Sequence, residues 1–417
     1  MQKLKSIMKH WQNNSKNQSA TSDIKVKLVA IAKDEAAYFN EWVYHHLYFG
    51  FDDIEIHINR TSDNSAEVLD SICKNNPSVS WHKADWIDQC PPGAKKHIQF
   101  IVYNKVWDEC LSQGGFTHIL FLDIDEFWMP KDFSTTIKEY IAGFKPDSVI
   151  SFEWLNDLGN LPKFSPIPQK LGGNLSPLVK TLFPINTPVI ELRHHVPLFA
   201  APQNHVLADG HPFSARKSLI QAVAEELQSL KDAFVYHRAH RSVEEYISLL
   251  YRGRPGETFP YKTNRHGLPV PNNWFVEVDF PEASYKQYAA SYRDFLISNV
   301  KPEQLDKAKG YVERRFNDSM SQLPGFVETD YPTMMQMFRG VYQHQVVEVF
   351  GQHRAKLVAE QPENFRLIRD LAIDASSQNI DEAISLMEVA HQLHPEGPVI
   401  NQKLNEFRII KASQKRS

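Results

Sequence analysis

The distribution of apolar and polar residues between positions 25 and 152 alternates between two spacings. Four segments have the continuous or alternating apolar pattern of strands: "KVKLVAIA", "DIEIHI", "VSWHKA" and "HILFLDI". The segments between them have apolar residues at helical spacing: "AAYFNEWVYHHLYFG", residues 63–73 and residues 94–110. Strands that alternate with helices in this way are typical of an α/β fold, in which flanking helices cover a mostly parallel sheet.

The rest of the chain has a different pattern. Nine of the 25 prolines lie between Pro162 and Pro212, which predicts a stretch rich in loops. From about Pro281 onward helical spacing dominates, and residues 362–411 have the pattern of a helical hairpin with a turn at "SSQN". The hairpin is similar to a single tetratricopeptide-type unit, which cannot form a stable array alone. We therefore expect an all-helical C-terminal extension that carries a small packing or docking module.

Composition and charge narrow the function classes. An apolar fraction of 42% and an aromatic fraction of 12% in 417 residues predict a folded protein of two or three domains. The net charge of −4 argues against a nucleic-acid binder that relies on attraction to phosphates. The three widely spaced cysteines form neither a disulfide framework nor a CxxC pair, which favours a reducing compartment. No apolar run in the sequence approaches the roughly 20 residues that span a bilayer.

The first 23 residues contain no long apolar core and no small-residue cleavage site, so they do not resemble a signal peptide. Leu4, Ile7, Met8 and Trp11 lie at helical spacing, with lysines between them. This pattern is typical of a short basic amphipathic helix that lies on a membrane surface. A frayed terminus with a few apolar residues is the alternative.

Three carboxylates follow the strand candidate "HILFL" almost at once: Asp123, Asp125 and Glu126. Acidic side chains are almost never buried without a partner, so their position at the end of an apolar strand calls for a compensating group. Asp123 and Asp125 lie two residues apart and can lean to the same side. Paired carboxylates suit Mg²⁺ or Mn²⁺ shared with a substrate diphosphate, and Glu126 is expected to orient the site. A solvated strand end or a helix cap is the alternative.

Polar residues also follow the first two strand candidates, where backbone N–H groups and acidic side chains could receive a nucleotide. They are Lys33, Asp34, Glu35, Asn59 and Asp63. Ligands of a parallel sheet bind beyond the carboxyl ends of its strands, so we expect these residues to lie near Asp123. Each motif by itself is also common as a helix start or as a loop.

Two other regions contribute candidates. Lys95 and Gln99 lie on the helix candidate before "HILFL", where a lysine could pair with phosphate and where a solvated charged face is the alternative. His237 ends the strand candidate "AFVY" and could be a third metal ligand or a structural histidine. His194 and His195 lie in the proline-rich stretch and could contact sugar hydroxyls. No HExxH, GxSxG, P-loop or GxGxxG motif is present, which argues against the usual protease, hydrolase and dehydrogenase classes.

The order and spacing of these motifs resemble a nucleotide-sugar glycosyltransferase of the GT-A fold, close to the branch called family 2-like or family 92. Members of that branch show a K-[DN]-E start, an E-W-x-x-[YH]-H helix, an N-x-[ST]-x-D loop, a helical Gln and a D-x-D-E-F strand. The corresponding elements here are Lys33 to Glu35, Glu41 to His46, Asn59 to Asp63, Gln99, and Asp123 to Phe127. The resemblance covers roughly residues 26–255, because "VYHRAHRSVEEYISLLYRG" matches later elements of the family.

Two positions depart from the family pattern. Ile58 stands where relatives often carry an acid, which affects the expected base contacts. The aromatic-glycine loop of the family is replaced by "FEWLNDLGN", which affects the expected acceptor contacts.

The resemblance implies a GT-A (Rossmann-like) domain over residues 24–275, with a nucleotide-sugar half at 24–130 and an acceptor half at 131–275. Residues 1–23 would form a separate tail and residues 276–417 the helical extension. The implied reaction moves a hexose, with inversion, from a nucleoside-diphosphate sugar to a hydroxyl of a glycan or glycolipid, and UDP is the expected nucleotide. Mn²⁺ or Mg²⁺ on Asp123, Asp125 and His237 would offset the charge of the departing diphosphate.

Such a transfer also needs a carboxylate that removes the proton of the acceptor hydroxyl. Asp157 and Glu153 are available at the end of the next strand candidate, "SVISFEWLND". Asp157 is favoured because it falls in the following loop, where access is freer, and Glu153 is the alternative. Both could also be ordinary polar residues of a loop.

The family resemblance places the expected activity in surface polysaccharide or lipopolysaccharide biosynthesis, in the cytoplasm, with the basic tail on the inner face of the membrane. A nucleotidyltransferase or a metal-dependent phosphohydrolase on a similar sheet is the alternative function. Release of a nucleoside diphosphate only when an acceptor is present would distinguish transfer from both.

Overall fold

The structure is a computed structural model that describes residues 23–95, 97–253 and 258–414. The chain divides into two compact units. Among the described residues, the first unit consists of residues 23–158, Phe164–Ala239 and Pro271–Tyr311. The second unit consists of Gly159–Lys163, His240–Val270 and Val312–Ser417.

The first unit is built on a large sheet, to which 12 of the described strands belong. Its strands are β1 (Val26–Ala32), β2 (Asp53–Ile58), β3 (Val79–Lys83), β4 (His118–Phe121), β5 (Glu126–Pro130), β6 (Val149–Asn156), β7 (Lys170–Pro184), β10 (His205–Leu207), β11 (Ala215–Arg216), β12 (Leu219–Val223), β13 (Ala233–His237) and β14 (Phe275–Asp279). A separate two-stranded sheet is formed by β8 (Val189–Glu191) and β9 (Leu198–Phe199).

In the order of the main sheet, β7 and β6 lie between β4 and β13. The central order is β3-β2-β1-β4-β7-β6-β13-β5. Strands β1 to β4 are mutually parallel where they pair, as the repeated strand and helix pattern predicts. The long strand β7 is antiparallel to both β4 and β6, whereas β13 is parallel to β6 and antiparallel to β5. Residues that follow β4 and β13 can therefore meet residues of β7.

The described helices are distributed over the two units. They are α1 (Phe39–Tyr48), α2 (Ser65–Asn75), α3 (Pro92–Lys95), α4 (Ile98–Gln113), α5 (Ile137–Ile141), α6 (Val243–Leu250), α7 (Glu282–Asn299), α8 (Pro302–Thr329), α9 (Tyr331–Phe338), α10 (His344–Glu360), α11 (Phe365–Ala375), α12 (Ile380–Leu393) and α13 (Pro398–Gln414). Two short 3₁₀ helices are Asp85–Gln89 and Glu225–Leu227.

Apart from Lys27, which is paired with Asp53 and Glu55, strand β1 is apolar because both faces of the sheet are covered at that strand. Leu28 and Ala30 point into the cluster that contains the α1 side chain Trp42. Val29 points to the opposite face, into the cluster that contains Val102 of α4. This alternation explains why the β1 segment has no polar face in the sequence.

Helix α1 is almost completely buried, and its histidines are structural. His45 Nε2 lies 2.7 Å from the carbonyl oxygen of Trp128, and His46 Nδ1 lies 2.8 Å from that of Trp42. Burial lowers the pKa of His45 to about 3, so its ring is neutral. The Trp42 indole donates a 2.8 Å hydrogen bond to the carbonyl of Glu126, which fixes α1 against the start of β5.

The second unit is mainly helical, and the predicted hairpin lies within it. Helices α11 and α12 are joined by residues 376–379, and Asn379 caps α12 by accepting the backbone N–H groups of Asp381 and Glu382. The helices α11 to α13 share a core that includes Ala383 and Phe407. Small residues at the contact allow the helices to approach closely.

The prediction of a mixed α/β fold with a helical C-terminal region is confirmed. Residues 1–22, which carry the predicted amphipathic pattern, lie outside the described residues. Residues 276–311, which the sequence prediction placed in the helical extension, group with the α/β unit. Within the described ranges, no helix has the length and apolar character needed to cross a membrane.

Candidate active site at the turn between β4 and β5

The predicted Asp-x-Asp motif lies in a tight turn between two strands of the sheet. Strand β4 ends at Phe121 and β5 begins at Glu126, so Asp123 and Asp125 both fall in the connection. The N–H of Asp123 donates to Glu126 Oε2 at 2.9 Å, and the N–H of Glu126 donates back to the Asp123 carbonyl at 3.0 Å. The N–H of Arg238 donates to the Asp125 carbonyl at 2.7 Å. These bonds fix the turn between the end of β4 and the segment after β13.

The compensating charge for these carboxylates is a buried lysine on β7. Lys180 Nζ lies 2.9 Å from Glu126 Oε2 and 3.6 Å from Asp123 Oδ2. The side chains of Lys180 and Glu126 are 4% and 0% exposed, whereas that of Asp123 is 40% exposed. Burial opposes the charge of Lys180, but the facing carboxylates outweigh it and raise the pKa of the ammonium group. Lys180 therefore remains positively charged.

His237 lies on the other side of the turn, next to Asp125. The distance from His237 Nε2 to Asp125 Oδ2 is 3.7 Å. His237 Nδ1 lies 3.0 Å from Asn156 Oδ1, which accepts a hydrogen bond when that nitrogen carries the proton. In that tautomer Nε2 presents a lone pair towards Asp125, as a metal-binding histidine must. The Trp154 ring packs on the imidazole with 4.3 Å between ring centres and restricts its rotation.

The Asp125 and His237 side chains fit a divalent cation. Two adjacent ligand atoms that each lie about 2.1 Å from one octahedral ion are about 3 Å apart, so a small closing movement of these side chains is sufficient. Asp123 faces Lys180 instead, and among the described residues no three His, Cys, Asp or Glu side chains surround a common point. The structure thus pairs two of the three predicted ligands, and substrate phosphate oxygens are the usual further ligands of such an ion.

The loops after β1 and β2 are tied together by the acidic residues predicted to bind the nucleotide. Asp34, in a left-handed backbone conformation with φ 54°, accepts the N–H of Ser62 through Oδ1 at 2.6 Å. Asp63 Oδ2 accepts the N–H of Ala36 at 2.9 Å. Burial raises the pKa of Asp63 above its ordinary value. These carboxylates therefore shape the two loops at the carboxyl edge of the sheet.

Gln99 at the start of α4 connects that helix to the turn formed by Asp123, Asp125 and Glu126, which we call the acidic turn. Its Nε2 donates to Asp123 Oδ1 at 3.2 Å and to the Tyr103 hydroxyl oxygen at 3.2 Å. The helical glutamine and the Asp-x-Asp turn are therefore in direct contact. The side chain of Lys95 lies outside the part of the chain that the structure describes.

The comparison with known families agrees with this geometry. Residues 27–184 of the 417-residue chain match the sequence model of Glycosyltransferase family 92. The matched region is similar to family 92, and the protein is a glycosyltransferase. The match includes the acidic turn, Gln99 and Lys180 and ends before His237. No curated protein matches the sequence of the chain.

The proline-rich stretch brings two histidines to the site of the glycosyltransferase. His195 packs edge-on against Trp154 at 4.8 Å between ring centres, and its Nδ1 lies 3.0 Å from the Val179 carbonyl oxygen. Burial, together with the Lys180 ammonium, lowers the pKa of His195 to about 3, so this ring is a neutral hydrogen-bonding group. His194 packs against Phe100 at 4.5 Å between ring centres.

The two candidate bases of the glycosyltransferase lie in different surroundings. The N–H of Asp157 donates to the His237 carbonyl at 3.0 Å, which places Asp157 beside the candidate metal ligand. Asp157 is 1% exposed, although the sequence suggested a freely accessible loop. Glu153 is 0% exposed, and its nearest cation is Lys231, at 3.9 Å. The structure does not bring Glu153 to the acidic turn.

The remaining predicted residues lie at the ends of β1 and β2. Asn59 Nδ2 lies 3.3 Å from both the Ala84 carbonyl and Asp85 Oδ1, so this side chain holds the loop after β3. Lys33 is half-buried and Glu35 is buried in the loop after β1. The sequence prediction placed these residues at the carboxyl ends of the strands, where the structure has them, but it did not include Lys180. The available signal was a lysine inside the apolar segment "LVKTLF".

Proposed function

We propose that this glycosyltransferase transfers a hexose from a nucleoside-diphosphate sugar to a hydroxyl of a glycan or glycolipid in a metal-dependent, inverting reaction. The observation that carries the proposal is the pairing of Asp125, in the acidic turn, with His237. The acidic turn lies in the region that matches the glycosyltransferase family. UDP is the proposed nucleotide, and Mn²⁺ or Mg²⁺ is the proposed cofactor. The residue chemistry supports this choice because carboxylate and imidazole ligands with open positions suit a cation that also binds phosphate.

Asp125 and His237 are the residues that would hold the ion, and Asp123 is the neighbouring carboxylate that would meet the donor. The bound ion would act as a Lewis acid that stabilises the negative charge on the leaving nucleoside diphosphate. The chain positions the donor through the loops after β1 and β2, which Asp34 and Asp63 fix relative to each other. The hydrogen bonds that close the acidic turn are already made, so the carboxylates need little reorganisation when a donor binds.

The acceptor hydroxyl would approach from the side of β6 and the proline-rich stretch. In the proposed step a carboxylate accepts the hydroxyl proton while the oxygen attacks the anomeric carbon, and the diphosphate leaves with the bonding electrons. Asp157 is the proposed base because its backbone adjoins His237, with Glu153 as the second candidate. Attack opposite the leaving group inverts the anomeric configuration.

The proposed setting is surface polysaccharide or lipopolysaccharide biosynthesis on the cytoplasmic side of a membrane. Support for a membrane-proximal position comes from the basic amphipathic pattern of Leu4 to Trp11. A glycolipid acceptor would be available at that surface. The donor is soluble, so only the acceptor side of the reaction requires membrane contact.

The test of the proposed function measures release of nucleoside diphosphate from a panel of nucleotide sugars, with and without candidate acceptors and with Mn²⁺ or excess chelator. We expect release to require both the acceptor and the metal. Asp125→Asn is nearly isosteric and should keep the fold while lowering activity by orders of magnitude. Asp232→Asn is the control because that carboxylate is 88% exposed and remote from the turn. Full turnover in chelator would refute the metal-dependent mechanism.

A further inference from the structure

Lys180 is a buried cation in the middle of a strand, and the reaction chemistry alone does not explain it. Its side chain is 4% exposed, and Glu126, its nearest partner, is completely buried. A buried charge is costly unless it is paired, so the ammonium and the carboxylate each depend on the other. The second oxygen of Glu126, Oε1, has no hydrogen-bond partner among the described residues. The pair is therefore held through Glu126 Oε2, which faces Lys180 and also accepts the N–H of Asp123.

The backbone around Lys180 is shaped to deliver this side chain to the turn. Between β6 and β7 the register shifts: Glu153 pairs with Val179, whereas Leu155 pairs with Leu175. Two extra residues of β7 therefore lie between Leu175 and Val179, shortly before Lys180, and such irregularities are frequent near active sites. The Lys180 Nζ also lies 5.6 Å from the centre of the Trp154 ring, the same ring that packs on His237.

The charge balance of the turn gives Lys180 a consequence for ligand binding. Asp123, Asp125 and Glu126 provide three carboxylates, and Lys180 lies within 4 Å of two of them. The ammonium pairs with Glu126 and lies 3.6 Å from Asp123 Oδ2, while Gln99 Nε2 donates to the other oxygen of Asp123, Oδ1. Asp125 is left to face His237.

We infer that Lys180 is a positioning residue, which acts through Glu126 and Asp123 to hold the acidic turn in the arrangement that receives a cation and a diphosphate. This inference rests on the proposed function. Lys180 itself need not contact the donor. Its effect reaches the ligand through the carboxylates, in the way that outer partners of metal ligands orient them.

The test compares binding and stability in variants of the full chain. Lys180→Met leaves Glu126 buried without its cation, so we expect a lower unfolding temperature. The double variant Lys180→Met with Glu126→Gln removes both charges and should unfold near the wild-type temperature. Glu126→Gln alone is nearly isosteric and can still accept the N–H of Asp123. Lys170→Met is the matched control, since Lys170 lies on the same strand and its side chain is 77% exposed.

The readouts are the unfolding temperature and the calorimetric affinity for UDP and for GDP in the presence of Mn²⁺. The wild-type protein defines the reference ligand, which is whichever of UDP and GDP it binds more tightly. For a positioning role we expect the double variant and Glu126→Gln to bind that nucleotide about 10- to 100-fold more weakly than wild type. The Lys170→Met control should bind as wild type does. If Lys180 and Glu126 only stabilised the fold, the double variant would regain the wild-type unfolding temperature and would also bind the nucleotide with wild-type affinity. That result would overturn the inference. Failure of the wild-type protein to bind either nucleotide would instead refute the proposed function, on which the inference depends.

Discussion

Asp157 and Glu153 lie four residues apart, but only Asp157 adjoins His237. We expect Asp157→Asn to lower the rate of transfer while nucleotide-sugar affinity stays near wild type, because a base acts on the acceptor proton and not on the donor. Measured turnover and donor affinity of Asp157→Asn and Glu153→Gln check this. A normal rate in Asp157→Asn together with an inactive Glu153→Gln would exchange the two roles.

The burial of Glu153 leads to a prediction about how the stability of the protein depends on pH. Burial raises its pKa from 4.5 to about 8, and neither carboxylate oxygen has a hydrogen-bond partner within the described residues. A raised carboxyl pKa means that the folded state binds the proton more tightly than the unfolded chain does. Its stabilising contribution is therefore complete below about pH 4.5 and is lost as the pH rises through about 8.

We accordingly expect Glu153→Gln to stabilise the protein at about pH 8.5 relative to wild type and to have little effect at about pH 5. Thermal unfolding measured across this range is the test. Glu277→Gln serves as the control because Glu277 is exposed. An identical pH profile for wild type and Glu153→Gln would contradict the buried, protonated carboxyl.

At the scale of single residues, the predictable features were those with a local signal. Asp123 and Asp125 follow an apolar strand at once, and His237 ends another, so chemistry and position coincide in the sequence. Lys180 could not be assigned because its partners lie more than 50 positions away and on another strand. The burial of Asp157 likewise depends on neighbours that no local pattern specifies.

The pairing of β6 with β7 is the element on which the site depends, because β6 carries Asn156 and β7 carries Lys180. Gly173 on β7 packs directly against β6: a Cβ atom there would lie 2.4 Å from the Asn156 carbonyl oxygen. That oxygen belongs to the backbone and cannot move without shifting the strand. We therefore expect Gly173→Ala to destabilise the protein by about 1–3 kcal/mol and to weaken metal-dependent donor binding through Asn156 and His237.

The neighbouring Gly172→Ala is the matched control for this prediction. A Cβ atom at Gly172 would meet the edge of the Phe275 ring at 3.2 Å, and that side chain is partly exposed and can adjust. Chemical denaturation and donor titration of both variants provide the measurement. If Gly172→Ala proved as harmful as Gly173→Ala, the close approach of the two strands would not be the cause.

At the scale of elements, the sequence predicted β1 to β4 and the helices between them because each of these segments has its own local apolar period. The position of β7 between β4 and β6 could not be predicted, since antiparallel pairing across long loops leaves no local period. The site therefore combines the ends of the parallel strands β1 to β4, which the sequence predicts, with strands β6 and β7, whose order is set by tertiary packing.

At the scale of the whole molecule, the basic N-terminal residues predict binding to a membrane surface. We expect vesicles that contain anionic lipids to retain the full chain at low salt and to release it at high salt, because the attraction is electrostatic and is screened. Co-sedimentation with vesicles of neutral and anionic composition is the measurement. Equal retention of a chain that starts at Ser22 would exclude the tail as the membrane contact.

The grouping of residues 276–311 illustrates why domain limits were harder to predict than helices. Periodicity correctly indicated helix α7. Its association with the α/β unit depends on the Tyr44 hydroxyl, which donates a 2.8 Å hydrogen bond to the Tyr288 carbonyl, 244 positions away. Contacts of that separation are set by the folded chain and not by a local pattern.

The central claim is that Asp125 and His237 together hold a divalent cation that binds the donor diphosphate. Anomalous X-ray diffraction from crystals soaked with MnCl₂ and UDP tests it most directly. We expect a manganese peak within about 2.3 Å of both Asp125 and His237 and in contact with the diphosphate. Bound UDP without a manganese peak at these two side chains would contradict it.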